Sequence, residues 1–198
     1  MRQSVLLAAA AASVAAATSK CNVPSVKVPA CPAVGTVRYN KSVPDKKDFP
    51  QTEVDLCYTD TSLAMTFKAF NETNFYFDPK QGTNGDIWEY EVMEAFIYKG
   101  TDDPQTYLEF EVNPNNVTYQ AFVYNPSKDR SPGAPFDHAF ISDPAADGFT
   151  ARRRWTRPRR RGTTVSPETY PDQGLGAWSV PDKASFHISK FFGKVKFV

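Results

Sequence analysis

The sequence predicts an all-β fold, an antiparallel β-sandwich, and three observations carry that prediction. Short runs alternate apolar and polar side chains with the period of a strand. Pro, Gly, Asn and Asp punctuate the runs at close intervals, as the turns of a sandwich do. Beyond the N-terminal segment no stretch keeps the period of an amphipathic helix. At 198 residues the chain suits one domain.

Residues 1–17 have an early arginine, a short apolar run and small residues at Ala15 and Ala17, the layout of a secretory signal cleaved after Ala17. No later stretch is apolar enough to cross a bilayer, so a soluble, exported, monomeric product is expected, with no membrane partner once the signal is removed. Residues 18–50 are a lead-in whose Pro24, Pro29, Pro32, Pro44 and Pro50 break any helix and favour an extended path across the domain. The sandwich is assigned to residues 51–198. Within it, 54–58 and 63–70 alternate around Thr59, Asp60 and Thr61 and read as a hairpin. A short strand is expected at 74–78 and a glycine-containing turn at 81–85. Residues 117–125 make a long strand with Tyr119 and Val123 on one face and Phe122 and Tyr124 on the other. A proline-containing loop follows at 126–150, around a short strand at 136–141.

Three sequons place glycans at Asn40, Asn71 and Asn116, in agreement with export. Cys21, Cys31 and Cys57 allow three pairings in an oxidising compartment. Cys31 with Cys57 is the favoured pair, because it ties the lead-in to the strand at 54–58. A formal net charge of +1 hides a local imbalance: residues 152–161 hold seven of the 23 basic residues, leaving 16 against 22 acidic ones elsewhere.

Residues 86–114, DIWEYEVMEAFIYKGTDDPQTYLEFEVNP, are the richest stretch. Read as a strand, they put Trp88, Tyr90, Val92, Glu94, Phe96 and Tyr98 on one face, a ladder of rings carrying an acid. Rings pack on the C–H faces of sugars while nearby carboxylates and amides take the hydroxyls. Trp88, Glu91, Glu94 and Phe96, then Tyr107, Glu109, Val112, Asn113 and Pro114, resemble the central signature of the family 9 carbohydrate-binding domain in its secreted fungal form. Trp178-Ser179-Val180-Pro181, Phe186-His187 and Phe192-Gly193 are similar to that family's closing motif. Glu91 departs from the pattern, which more often has aspartate there. The resemblance runs from about residue 35 to the C-terminus and implies a DOMON-like or jelly-roll sandwich. It also implies a noncatalytic secreted protein that engages polysaccharide or its breakdown products, beside glycoside hydrolases in carbohydrate catabolism.

The resemblance singles out Trp88 and Trp178 as stacking platforms, with Glu91, Glu94, Asn113 and His187 as polar contacts to a polysaccharide or oligosaccharide. Core packing is the competing role for both tryptophans. A second reading makes the chain a glycosidase acting on O-glycosyl bonds through Glu91 with Glu94 or Glu109 with Glu111, and a third a structural secreted protein without sugar binding. No cofactor is expected; Asp86, Asp102 and Asp103 could hold calcium, although no loop has the spacing of a calcium motif. At 151–162 the family supplies a strand pair that this chain lacks. The arginine-rich insert reads either as a disrupted coding segment or as a basic patch for nucleic acid, anionic glycan or membrane. The resemblance favours the first, the export signal argues against a nuclear signal, and no nucleic-acid partner is expected.

Overall fold

The computed structural model describes residues 22–71, 75–100, 103–141 and 174–198. The signal segment, Cys21, Asp102, Thr73 of the Asn71 sequon and the insert at 151–162 lie outside the described residues. Nine strands are described: β1 (Ser25–Val28), β2 (Gly35–Lys41), β3 (Asp48–Tyr58), β4 (Leu63–Ala69), β5 (Met93–Ile97), β6 (Thr106–Val112), β7 (Thr118–Tyr124), β8 (Asp137–Phe140) and β9 (Lys194–Phe197). The expected all-β architecture is what the chain adopts, with two short 3-10 turns and no α-helix among the described residues.

The strands form a three-stranded antiparallel sheet, β2-β3-β4, a four-stranded antiparallel sheet, β5-β6-β7-β8, and a parallel pair, β1-β9. Strict alternation decides which face each residue takes. In the first sheet Val37, Val54 and Phe67 align across three strands. In the second, Ala95 lies opposite Phe110, and Met93 opposite Val112. Phe67 packs with Phe110 and Val112, flanked by Val54, Met65, Met93 and Ala95, and this contact joins the two sheets as a sandwich. A second cluster of Val28, Val37 and Leu56 holds β1 against the first sheet.

The residues read as a proline-rich lead-in are extended, and they carry β1 and β2. The strand expected to begin near Trp88 begins instead at Met93, and Ile87–Glu89 forms a 3-10 turn. Ile87 and Tyr90 are both buried, and the Tyr90 N–H donates to the Ile87 carbonyl at 3.1 Å. Two apolar residues three apart can both point inward only in a helical turn, so burial of that pair overrode the alternation of Trp88, Tyr90 and Val92. The described part of 74–78 holds a single bridge residue, Tyr76, rather than a strand. Cys31 and Cys57 form the favoured disulfide, beside backbone hydrogen bonds from Cys31 N to the Tyr58 carbonyl (2.9 Å) and from Tyr58 N to the Pro29 carbonyl (3.2 Å). Asn40, Asn71 and Asn116 are all exposed.

Candidate functional site

The outer face of the four-stranded sheet, turned away from the sandwich core, carries the chemistry. Register places Glu94 opposite Glu111, and Phe96 opposite Glu109, which is itself opposite Ala121. Glu111 is opposite Tyr119, Tyr107 opposite Val123, and Val123 opposite His138, while Ala121 is opposite Phe140. Side chains directly opposite share a face, so three glutamates sit within one field of rings. Ile87 covers one end of that field by packing on Tyr119 and Ala121.

A strap at 185–192 covers the other end. The Asn125 amide Nδ2 donates to the His187 carbonyl at 2.8 Å, and Ser189 N donates to the Lys128 carbonyl at 3.0 Å. The Ser189 hydroxyl also bonds the Asp103 carboxylate. Phe96 is the hub beneath the strap, with the rings of Tyr107, Phe186, His187 and Phe192 centred within 6.4 Å of its own. Such edge and tilted contacts are the favoured geometry of aromatic pairs.

The three carboxyls are poorly solvated, and all are pushed well above the usual carboxylate range. For Glu94 burial is the main cause and the neighbouring Glu109 adds to it, giving about 8. Glu109 rises to about 7 through burial, opposed by Arg130. Glu111, 1% exposed, is raised by burial and by both other acids. Glu109 and Glu111 lie two apart on the same face of β6, where two full charges out of water repel each other. Glu111 Oε2 is buried without a partner.

Burial holds His187 down at about 4, with Arg130 adding to the effect. Its Nε2 lies 3.8 Å from Glu109 Oε1, but with the imidazole neutral the contact is not an ion pair at neutral pH. Nδ1 lies 2.8 Å from the Tyr107 hydroxyl. That hydroxyl accepts from Asn125 Nδ2 at 3.4 Å, so it donates to Nδ1 and leaves the ring proton on Nε2.

The residues singled out from the sequence are dispersed. Trp88 is 42% exposed and meets the Tyr119 ring edge-on at 5.5 Å. Trp178 is partly buried against the Val28, Val37 and Leu56 cluster, and its ring packs on Gly193, where a Cβ would collide with it. Glu91 accepts from the Tyr76 backbone N–H at 3.0 Å. Asn113 is 2% exposed, and its side-chain oxygen accepts from Asn115 N and Val117 N, closing the β6–β7 turn. Among the described residues no group of three or more acids, histidines or cysteines is arranged to hold a metal ion.

Sequence reasoning passed over Phe140 and the placement of Tyr119. Phe140 is 48% exposed and, like Trp88, meets Tyr119 edge-on at 5.5 Å. His138 stacks beside Phe140 at 4.8 Å. The alternation of 117–125 and 136–141 contained the faces of both residues, but only the β7–β8 register joins them.

Fold and site together define an extracellular-type β-sandwich with an acid-floored aromatic face. A protein of Arthroderma benhamiae named "Extracellular protein" is 54% identical, in an alignment covering 88% of this chain and 91% of that protein. The chain belongs to the family of that extracellular protein, and like it is extracellular. No family model matches the chain, and no solved structure matches it.

Proposed function

We propose that this is a secreted, noncatalytic carbohydrate-binding protein that engages polysaccharide or its breakdown products through the outer face of the four-stranded sheet. The supporting observation is the row Trp88, Tyr119, Phe140. Trp88 and Phe140 are each about half exposed and each 5.5 Å from Tyr119, so their rings lie no more than about 11 Å apart. Two half-exposed rings that both touch one buried ring suit neighbouring sugar units, whose C–H faces desolvate on the rings. His138 on β8 supplies a polar group beside Phe140. The resemblance to the family 9 carbohydrate-binding domain and the extracellular location support the same reading.

The glycosidase alternative has less support. Glu109 and Glu111 are both buried, whereas a glycosidase holds its two carboxyls about 5 to 10 Å apart across a cleft that admits the sugar. Glu91 is bound to the Tyr76 backbone and does not face Glu94 across a cleft. Calorimetric titration and pull-down against cellulose, xylan, chitin and soluble oligosaccharides test the proposal. Saturable binding without release of reducing ends is the expected result. Absence of binding by the folded protein, or turnover of the sugar, overturns it.

A further inference from the structure

The outer face has an unusual floor. Glu94 and Glu111 are directly opposite on neighbouring strands, and Glu109 is two residues along the same face. Three like charges at this spacing cannot all be tolerated out of water. Glu109 and Glu111 are both buried, and Glu111 Oε2 has no hydrogen-bond partner to receive a full charge. The strap covers the Glu109 end of this floor: His187 Nε2 lies 3.8 Å from Glu109, and the rings of Phe186, His187 and Phe192 close over Phe96 and Tyr107.

We propose that the strap at 185–192 is a pH-sensitive closure, seated on the sheet in acidic to neutral medium and released in alkaline medium, when the carboxyls beneath it ionise and draw in water. The other charged or titratable groups facing the cluster do not offset this. Tyr39 on β2 and Tyr107 on β6 stay neutral, both held up at about 12, and Tyr119 on β7 is also pushed up. Asp86, before the 3-10 turn, adds negative field at Tyr119. His138 on β8 faces solvent and packs beside Tyr119. His187 on the strap is held neutral. Arg130, in the β7–β8 loop, is the cation that acts on Glu109; it is exposed and sits over the Phe136 ring at 4.5 Å. One screened guanidinium does not neutralise three buried acids.

The carboxyl positions support the same direction, since burial raises all three into or above the neutral range and neighbouring acids raise Glu94 and Glu111 further. Among the described residues the strap is fastened chiefly by the Asn125 amide, the Tyr107 hydroxyl, the Lys128 carbonyl and Asp103. A segment held by a handful of polar contacts and rings opens locally at less cost than the sheet beneath it. Its release would uncover Phe96 and Tyr107 on the face that also carries Tyr119. That links the closure to sugar binding, a link that rests on the function proposed above.

Amide hydrogen exchange from pH 5 to pH 9, each peptide normalised to its own unfolded rate, tests the closure directly. Protection at 186–192 should fall at least tenfold across that range while β3 and β4 amides keep theirs. Glu111→Gln should keep the strap protected to higher pH, and Glu94→Gln serves as a second variant should the first not fold. Equal strap protection at pH 5 and pH 9, or loss of strap and sheet protection at one pH, overturns the proposal. Strap opening with no sugar bound at any pH would leave the closure standing and remove the carbohydrate reading alone.

Discussion

Replacing both Cys31 and Cys57 with alanine should destabilise the protein through its unfolded state while leaving the native backbone in place. The disulfide closes a loop of 26 residues between the lead-in and β3. The chain-entropy relation gives about 3.5 kcal/mol for a loop of that length. Native geometry has independent support, since Cys31 N and Tyr58 N bond across the same two segments, Ala30 bridges Tyr58, and the Tyr58 hydroxyl reaches the Val198 carbonyl at 3.2 Å. For a domain of this size about 3.5 kcal/mol corresponds to a fall in Tm of roughly 7 to 14 °C. The assay is thermal and urea unfolding of the double variant beside wild type. The urea m-value should rise, because the uncrosslinked unfolded chain exposes more surface. A Tm change under about 3 °C, or a lower m-value, would refute the reasoning.

Three further outcomes follow from the packing. Stability should peak near pH 4 to 5: Glu94 and Glu109 ionise at about 8 and about 7 against an ordinary 4.5, so what they contribute is present below 4.5 and lost as pH rises. His187, at about 4 against 6.5, works the other way and costs stability as pH falls from 6.5 towards 4, but one imidazole opposes several carboxyls. A Tm that climbs from pH 5 to pH 8 would contradict this. Gly35→Ala should cost about 3 kcal/mol or more in chemical denaturation, because its Cβ would land on the Lys27 carbonyl and 3.3 Å from the Cα of fully buried Val28. Asn125→Ala should cost about 2 to 3 kcal/mol and free the strap in hydrogen exchange, since Asn125 is fully buried and its amide holds both the Tyr107 hydroxyl and the His187 carbonyl.

Local alternation made most of the second sheet legible. The strands expected at 117–125 and 136–141 are β7 and β8, with Tyr119 and Val123 on the face opposite Phe122 and Tyr124 as read from the sequence. Pairing between distant segments was not legible. β1 and β9 are four residues each and join the two ends of the described chain in parallel, so neither is marked by a neighbouring turn. Trp88 was misplaced because a three-residue turn inside an alternating run has almost no signal of its own. The presence of Glu94 on a ring-bearing face and the closeness of Glu109 to Glu111 could both be read from spacing of two. That Glu94 lies against Glu111, and that His187 arrives over Glu109 from nearly 80 residues away, depends on register and tertiary packing.

The central claim is most directly tested by comparing two faces of one sheet. Phe122 and Tyr124 are exposed on the side opposite the candidate site, at 51% and 49%, and serve as matched controls for Trp88 and Phe140. Binding of each folded variant to the best polysaccharide ligand would be titrated by calorimetry. The account predicts that Trp88→Ala and Phe140→Ala each weaken binding about tenfold or more, and that Phe122→Ala and Tyr124→Ala leave it within about twofold. Equal affinity in all four variants, or loss confined to Phe122 and Tyr124, would contradict it.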